Sequence, residues 1–556
     1  MPTNQHIAEQ FELLAKLMEI HQDNPFKAKS YASAAFAIER LPIELADMNR
    51  NDIAQVKGIG ASSAQKIIEL LDRGSLLSLE ELIQKTPSGI LEMMQIKGLG
   101  PKKVATIWKE MHIETIGELL YACNENRLLR YKGFGEKTQK NVAESIEFFL
   151  RHKGHFLWAE LETYAERIRH ILVEAFPSYT IESCGLFKRQ MPVVDALEWS
   201  TNIPFALLHT FFEKNEFQLS QVDELELTAK GIENVQLRFY RSSTEQPAVV
   251  AFRKNCSELF LNEWIGQFQE KWSSATTEEE VFTACGISPI PTYLREDPAV
   301  IERYKDAAPI QVIQPKDIRG IIHSHSDWSD GANTIEEMAV ACRNLGMEYL
   351  VISDHSKSAF YANGLQEERV KAQHQYIDEL NSKLSPFHIF KSIECDILND
   401  GALDYSDALL STFDLVIASV HSNLNMDQEK AMQRLTRAIE HPATTILGHP
   451  TGRLLLSRKG YPIDHERIID ACIKNGVAIE INAHPRRLDL DWAWVGKAQE
   501  KGAILSINPD AHVIDGFNDV RYGVLAAQKG GLLSKNNLSS YSLTEFTHYL
   551  KTHRKL

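Results

Sequence analysis

Histidine, aspartate and glutamate recur at the ends of short apolar runs in the C-terminal part of this 556-residue chain. His323 and His325 close GIIHSH, and Asp330 follows in SDG. Asp354-His355 closes YLVISDH, Glu394 closes HIFKSIE, His421 closes DLVIASVH and His449 closes TTILGH. Asp510 and His512 repeat the two-apart spacing after AILSIN. Residues two apart share one face of a strand, so each such pair is expected to aim at one site. One H-x-H decides nothing in a chain with 20 histidines; recurrence at nearly every run does. Imidazole and carboxylate without thiolate are donors for Mn, Fe or Zn rather than for Ca or Mg. Cys395, next to Glu394, falls on the opposite strand face and is left out. Asp354 is read as a partner that orients a ligand histidine. His441, His465, His548 and His553 lie in helix or loop contexts and are read as surface groups.

These runs alternate with helical stretches such as TIEEMAVACRNLG, which predicts a parallel α/β sheet or barrel. In such folds functional groups collect at the C-terminal strand ends, where these histidines sit. Residues 1 to about 150 read instead as helices, with apolar spacing near 3.6 in NQHIAEQFELLAKLMEI and SSAQKIIELLDRG. From about 155 to 275, YTIES, MPVVDALEW, VQLRFY and AVVAF read as strands among helices, before a Pro-rich connector, GISPIPTYLREDPAVIERY. The helical part contains a repeat: Val56-Lys57-Gly58-Ile59-Gly60, Ile96-Lys97-Gly98-Leu99-Gly100 and Tyr131-Lys132-Gly133-Phe134-Gly135. Two glycines permit a tight turn between helices while the apolar residue between them plugs it. The helix that follows offers free backbone N–H groups and a positive dipole end to a phosphate, with Lys102, Lys103 and Lys137 adding charge. One copy reads equally well as a plain glycine-capped turn; three copies point, for at least two of them, to DNA held by its backbone, without reading of sequence.

Composition allows this. With 44% hydrophobic and 24% charged residues the chain is neither disordered nor fibrous, and its length suits three to five domains. The absence of an apolar run of about 18 residues argues against a membrane span. The acidic, amphipathic N-terminus does not read as a secretion signal. Seven scattered cysteines without C-x-x-C fit a reducing, cytoplasmic setting. The net charge of −15 does not exclude nucleic acid, because residues 51–150 carry 13 basic and 13 acidic residues. Histidine is unevenly spread, 7 in residues 1–317 and 13 in 318–556.

The order of helical N-terminal part, glycine hairpins, mixed strands and then the HSHSDWSDG region resembles the bacterial X-family DNA polymerases (PolX). Those carry a C-terminal PHP (polymerase and histidinol phosphatase) domain. The resemblance covers nearly the whole chain and is most specific in 318–556. It implies a multidomain protein: an all-α helix-hairpin-helix part, an α+β polymerase-like palm and thumb, and a C-terminal α/β PHP barrel of distorted TIM type. The expected divisions are a helical N-terminal domain at 1–85 and a fingers-like domain at 86–152. A palm-like nucleotidyltransferase domain at 153–275, a thumb remnant and linker at 276–317, and the PHP domain at 318–556 follow. The resemblance further implies up to three metals held by nine ligands, here His323, His325, Asp330, His355, Glu394, His421, His449, Asp510 and His512. Such a centre would hydrolyse phosphate esters. Arg453, in GHPTGR, is then a phosphate contact or else a surface arginine.

The middle part departs from its family. Polymerases of this class carry G-S-(x)…G-D-x-D and a third Asp on a later strand, which together hold two Mg ions. Here Cys184-Gly185-Leu186-Phe187-Lys188-Arg189 leads to Val194-Asp195-Ala196-Leu197, and the later strand has Gln236 where the third Asp should be. Only Asp195 remains, so Mg at the palm is doubtful. Glu198 is expected on the opposite face from Asp195 and so unable to substitute. Lys66, in GIGASSAQKIIELL, matches the position of a lysine that related polymerases use against abasic sugar; a phosphate-contacting or solvated lysine is the other reading. The first expectation for function is a monomeric DNA-repair protein whose PHP domain is a metal-dependent 3′–5′ exonuclease acting on gapped or 3′-ended duplex, with polymerase activity lost. An active gap-filling polymerase and a DNA-binding scaffold whose PHP domain hydrolyses a small phosphate ester are the alternatives.

Overall fold

The first helix, α1 (Asn4–Ile20), is started by Thr3, whose hydroxyl accepts from the His6 N–H. It buries Ile7, Phe11, Leu14 and Met18, a stripe at three- and four-residue spacing. That stripe packs on α2 (Pro25–Ile38), which begins with Pro25 behind an Asn24 cap; Phe11 meets Tyr31 edge-on at 5.7 Å. The structure is a computed structural model and describes residues 2–553 except 40, 42, 97, 152–153, 222–223, 232–233 and 306–310. Lys97 of the second hairpin therefore lies outside the described residues, as does the side chain of His553. The chain forms two compact units, residues 1–149 and 150–556. The first is all helical, and helices Ala61–Arg73, Pro101–Lys109 and Glu136–Arg151 follow the three glycine hairpins directly.

The second unit begins with a strand pairing, β1 (Phe156–Leu157) with β3 (Val193–Val194). Next to it lies a five-stranded sheet in the order β2 (Ile181–Cys184), β4 (Ala196–Thr201), β7 (Gln236–Tyr240), β6 (Glu226–Lys230), β5 (Gln218–Gln221). Only β4 and β7 in that sheet run parallel. Leu197, Trp199, Leu237 and Phe239 alternate onto its core face. The AVVAF segment is not a strand: it forms the helix Pro247–Lys254. A run with no polar residue cannot distinguish period 2 from 3.6, and Pro247 at the first turn starts a helix. Val249 and Phe252, three apart, bury in an aromatic core with Phe260, Trp264, Trp272 and Phe282.

Seven parallel strands complete the unit: β8 (Gly320–Ser324), β9 (Tyr349–Ile352), β10 (His388–Asp396), β11 (Leu415–Ser419), β12 (Ile446–Leu447), β13 (Ala478–Asn482) and β14 (Leu505–Asn508). They pair in chain order, and the ends nearly close, because His325 N–H donates to Ala511 O at 2.8 Å and Ser324 bridges Ala511. The result is a distorted (β/α) barrel, as the alternating pattern predicts. Its interior divides along the axis. At the N-terminal end Tyr349, Val351, Ile417, Ile446 and Ala478 point inward and are plugged by Leu538, Phe546 and Tyr549. Further along the same inward faces stand Glu394, Glu480, Asn482 and Asn508, all buried. The apolar plug thus leaves the polar layer to the C-terminal end. The five-stranded part is tied to the barrel by Arg486 to Glu160 (3.1 Å) and by buried Lys529, which donates to Arg189 O and Glu296.

Candidate metal centre

The nine residues singled out from the barrel strands converge. Three groups have ligand atoms within 4.8 Å of one another: His325, Asp330, His355 and His512; His323, His325, Glu394 and Asp510; His355, Glu394 and His421. His449 joins through Nε2, 3.0 Å from Glu394 Oε1. Glu394 is the hub: His421 Nε2 lies 3.0 Å from one oxygen and His355 Nδ1 3.0 Å from the other. His323 Nε2 is 3.3 Å from Glu394 and 3.4 Å from Asp510, and His325 Nε2 is 3.0 Å from Asp510. Asp330 gathers His355 and His512 at 3.6 and 3.5 Å. It is delivered by a tight loop at Gly331, where a Cβ would sit 2.1 Å from His325 O.

The route by which His323 gets there is not the one strand alternation gives. Ile321 packs outward under the helices and Ile322 inward, so an unbroken strand would turn His323 outward. The register between β8 and β9 shifts between Ile321 and Ser324, and His323 has φ +65°. This bulge returns the imidazole to the interior. Cys395 does face away, into the outer core, as expected.

Residues absent from the sequence reading hold the cluster. Glu480 accepts from His323 Nδ1 (2.6 Å), from the His449 backbone N–H (3.0 Å) and from Asn508 Nδ2 (2.8 Å). Asp396 meets His421 Nδ1 at 2.5 Å. Both were visible in principle: Glu480 is a lone acid within the apolar AIEIN, and Asp396 stands two residues after Glu394 on the same face. Asp354 does not orient a histidine. It accepts from Ser326, Ser329 and Gln373 and so fixes the loop that carries Asp330. Burial alone would push Glu394 up, but His421, His323 and His355 outweigh it and hold it well below the usual carboxylate range. Burial likewise opposes charge on His421, yet Glu394 and Asp396 raise it to about 10. His325 goes the other way, to about 3, through burial and the neighbouring His512 and His355.

Whether divalent cations fit is answered by the donors. His323 Nε2, His325 Nδ1, both ring nitrogens of His355, Glu394 Oε2 and His449 Nδ1 are buried without an aligned hydrogen bond, the close approach of His355 Nδ1 to Glu394 Oε2 included. Each such atom costs about 1–3 kcal/mol if left unsatisfied. Lone-pair donors interleaved with buried carboxylates are what a cation satisfies on both counts. The residues fit.

Other expected site residues fare differently. Arg453 is half-buried rather than a surface group: its guanidinium donates to Arg487 O (3.0 Å), Leu488 O and Asp491, clamping the 487–491 turn. Through that turn Arg487 comes 3.9 Å from Asp510 Oδ2. His465 is half-buried and stacks on Trp494 at 4.5 Å, and His441 is half-buried beside Asp407, while His548 is exposed. In the hairpins, Gly58, Gly98 and Gly133 have φ of +94°, +93° and +96°. Ile59, Leu99 and Phe134 plug the turns, and Gly60, Gly100 and Gly135 are exposed with open space where a Cβ would stand. Lys102 and Lys137 are exposed, whereas Lys103 donates to Gly98 O at 3.2 Å. Lys66 pairs with Glu69 at 2.7 Å, a carboxylate neighbour rather than a cationic one.

At the five-stranded sheet, Asp195 is bound by Arg238 (2.9 Å), which also donates to Gln236 Oε1 (2.8 Å). Leu197 is buried in the core. The opposite-face argument for Glu198 fails: the chain bends at Asp195, which meets Arg238, the residue in register with Glu198. Glu198 is instead already engaged, accepting from Tyr240 Oη (2.7 Å) and from the Leu186 backbone N–H (3.1 Å).

Known families match three stretches of the chain. Residues 2–76 match the helix-hairpin-helix domain family, 90–147 the SAM-like helix-hairpin-helix tandem, and 322–484 the PHP domain. The chain is 33% identical over 567 residues to the DNA polymerase/3′-5′ exonuclease PolX of Bacillus subtilis, covering 97% of this chain and 98% of that protein. Over 34% of its length it is 30% identical to a probable phosphatase of Caldanaerobacter subterraneus, covering 75% of that protein. Over 34% it is also 29% identical to one of Thermoanaerobacter sp., covering 78% of that protein.

Proposed function

The chain belongs to the PolX family, and from that premise we propose that it is a DNA-repair phosphodiesterase whose barrel removes nucleotides from a 3′ end. The observation that carries this reading is the convergence of nine imidazole and carboxylate side chains on one buried centre, hubbed at Glu394. In this reading His323, His325, Asp330, His355, Glu394, His421, His449, Asp510 and His512 are the ligands of up to three divalent ions, Mn, Zn or Fe. Such ions would supply Lewis acidity and charge neutralisation to a phosphodiester undergoing hydrolysis. The chain's own part is to hold the donors. Glu480 fixes the ring of His323, Asp396 fixes that of His421, and Asp354 sets the loop of Asp330. The exposed glycines Gly58, Gly60, Gly98, Gly100, Gly133 and Gly135 would meet the phosphates of gapped or 3′-ended duplex, with Lys102 adding charge. A monomer in a reducing, cytoplasmic setting suits seven cysteines that are all free.

Polymerase chemistry is proposed as lost. Two-metal nucleotidyl transfer needs carboxylates to neutralise about four positive charges. Asp195 is neutralised by Arg238, Leu197 offers no lone pair, and Glu198 is bound to Tyr240 and Leu186. The name of the Bacillus subtilis relative favours a second reading, a working gap-filling polymerase. One gapped, labelled duplex with Mn separates them. His323→Ala or Asp510→Ala should abolish degradation, Asp195→Ala should leave it nearly intact, and dNTP incorporation should stay at background. Robust extension that depends on Asp195 would restore the polymerase, and degradation that survives His323→Ala would remove the barrel from the reaction.

A further inference from the structure

We propose that Phe360 forms a stacking platform for a nucleobase at the mouth of the barrel centre. The inference rests on the phosphodiesterase reading above and adds what the site grips besides phosphate. Among the described residues of the second unit Phe360 is the most exposed large apolar side chain, at 75%. Water gains nothing from such a ring, and a π face is what every base can stack on. Its position links it to the centre. Phe360 contacts Tyr361 edge-on at 5.9 Å between centroids, and Tyr361 in turn lies 6.5 Å from the ring of His355. Two successive ring contacts therefore connect the exposed face to a residue of the candidate centre.

The loop that carries it is fixed, so the platform is preorganised. Asp404 accepts from both the backbone N–H (2.7 Å) and the hydroxyl (2.5 Å) of Ser358. Leu365 N–H donates to His355 O at 2.8 Å, and Gly364 passes so close that a Cβ would stand 1.9 Å from Ser356 O. Asn363 Nδ2 donates to Trp328 O (3.1 Å), and Arg369 to Asn363 O (2.9 Å), which ties this loop to the one bearing Asp330. Two cations lie on the segments that flank the aromatic pair: Lys357, whose ammonium sits 5.4 Å over the Tyr405 ring, and Arg369, held on the Asn363 and Trp328 carbonyls. An exposed ring on a fixed loop that leads to the centre suits a single strand, whose bases can stack while its phosphates reach the ligands. A small phosphate ester has nothing to lay on Phe360.

The test uses the full-length protein with Mn and two single-stranded oligonucleotides, one normal and one whose three residues at each end are abasic. Phe360 is largely exposed, so Phe360→Ala removes little packing beyond its edge contact with Tyr361. Phe360→Ala should lower kcat/KM about tenfold on the normal oligonucleotide, chiefly through KM, and leave the abasic-ended one unchanged. Phe360→Trp should restore the loss. No loss, or the same loss on both oligonucleotides, would overturn the inference alone. Failure of the wild type to degrade the normal oligonucleotide would overturn this inference, and failure on the gapped duplex as well would overturn the phosphodiesterase reading with it.

Discussion

Glu480 illustrates how much of the centre lies beyond the residues that would touch an ion. One of its oxygens accepts from His323 and Asn508 and the other from the His449 N–H and Asn482, and it is fully buried. A carboxylate that accepts from a ligand imidazole fixes the ring's tautomer and orientation and raises its basicity. Glu480→Gln keeps the volume but turns one acceptor oxygen into a donor, which deprives either His323 and Asn508 or the His449 N–H and Asn482 of their acceptor. Mn affinity, measured by calorimetric titration, should fall about 10- to 100-fold with the fold retained. Unchanged affinity would mean that His323 needs no such partner. Arg453 carries a related lesson. An arginine in a G-H-P-T-G-R context reads as an anion contact, yet five N–H donors serve backbone carbonyls equally well. Only the position of the 487–491 turn shows that the Arg487 and Leu488 carbonyls take part of that capacity.

Among the elements, the hairpins separate two uses of glycine. Gly58, Gly98 and Gly133 are left-handed, so a side chain there strains the turn by about 1–2 kcal/mol whatever lies nearby. Gly60 and Gly100 have φ of −78° and −81°, which any residue adopts, and a Cβ there meets nothing. Their lack of a side chain is not required by the fold; it leaves the helix N-terminus open to a close approach from outside. Gly100→Val should therefore leave the melting temperature unchanged while weakening DNA binding, with a shallower salt dependence. A DNA affinity equal to that of the wild type would take the second hairpin out of the interface. The β8 bulge is the corresponding lesson for strands: a one-residue register shift converts an outward histidine into an inward one.

At the scale of the molecule, the hairpins and the barrel centre belong to separate compact units, each with its own core. Anything that binds the native barrel stabilises the second unit and not the first. Calorimetry with Mn should show the barrel transition rise with metal and fall after chelation with EDTA, while a transition of the helical unit stays put. A shift of both by the same amount would indicate that the two unfold as one. The sequence by itself determined the division into helical and barrel parts, because the hydrophobic period changes from 3.6 to alternating strand and helix. It also determined the identity of the clustered side chains, because apolar runs that end again and again in His, Asp or Glu have few other uses. It misjudged AVVAF, where no polar residue marks a period, and Glu198, where a bend at Asp195 breaks the alternation. What only the tertiary structure decided are the partners: Glu480 behind His323, Arg238 on Asp195, and Arg453 on a backbone turn. These pairs lie 157, 43 and more than 30 residues apart in sequence. No local spacing encodes a contact of that range. It follows from how the barrel closes and the strands register, and both depend on the packing of the whole unit.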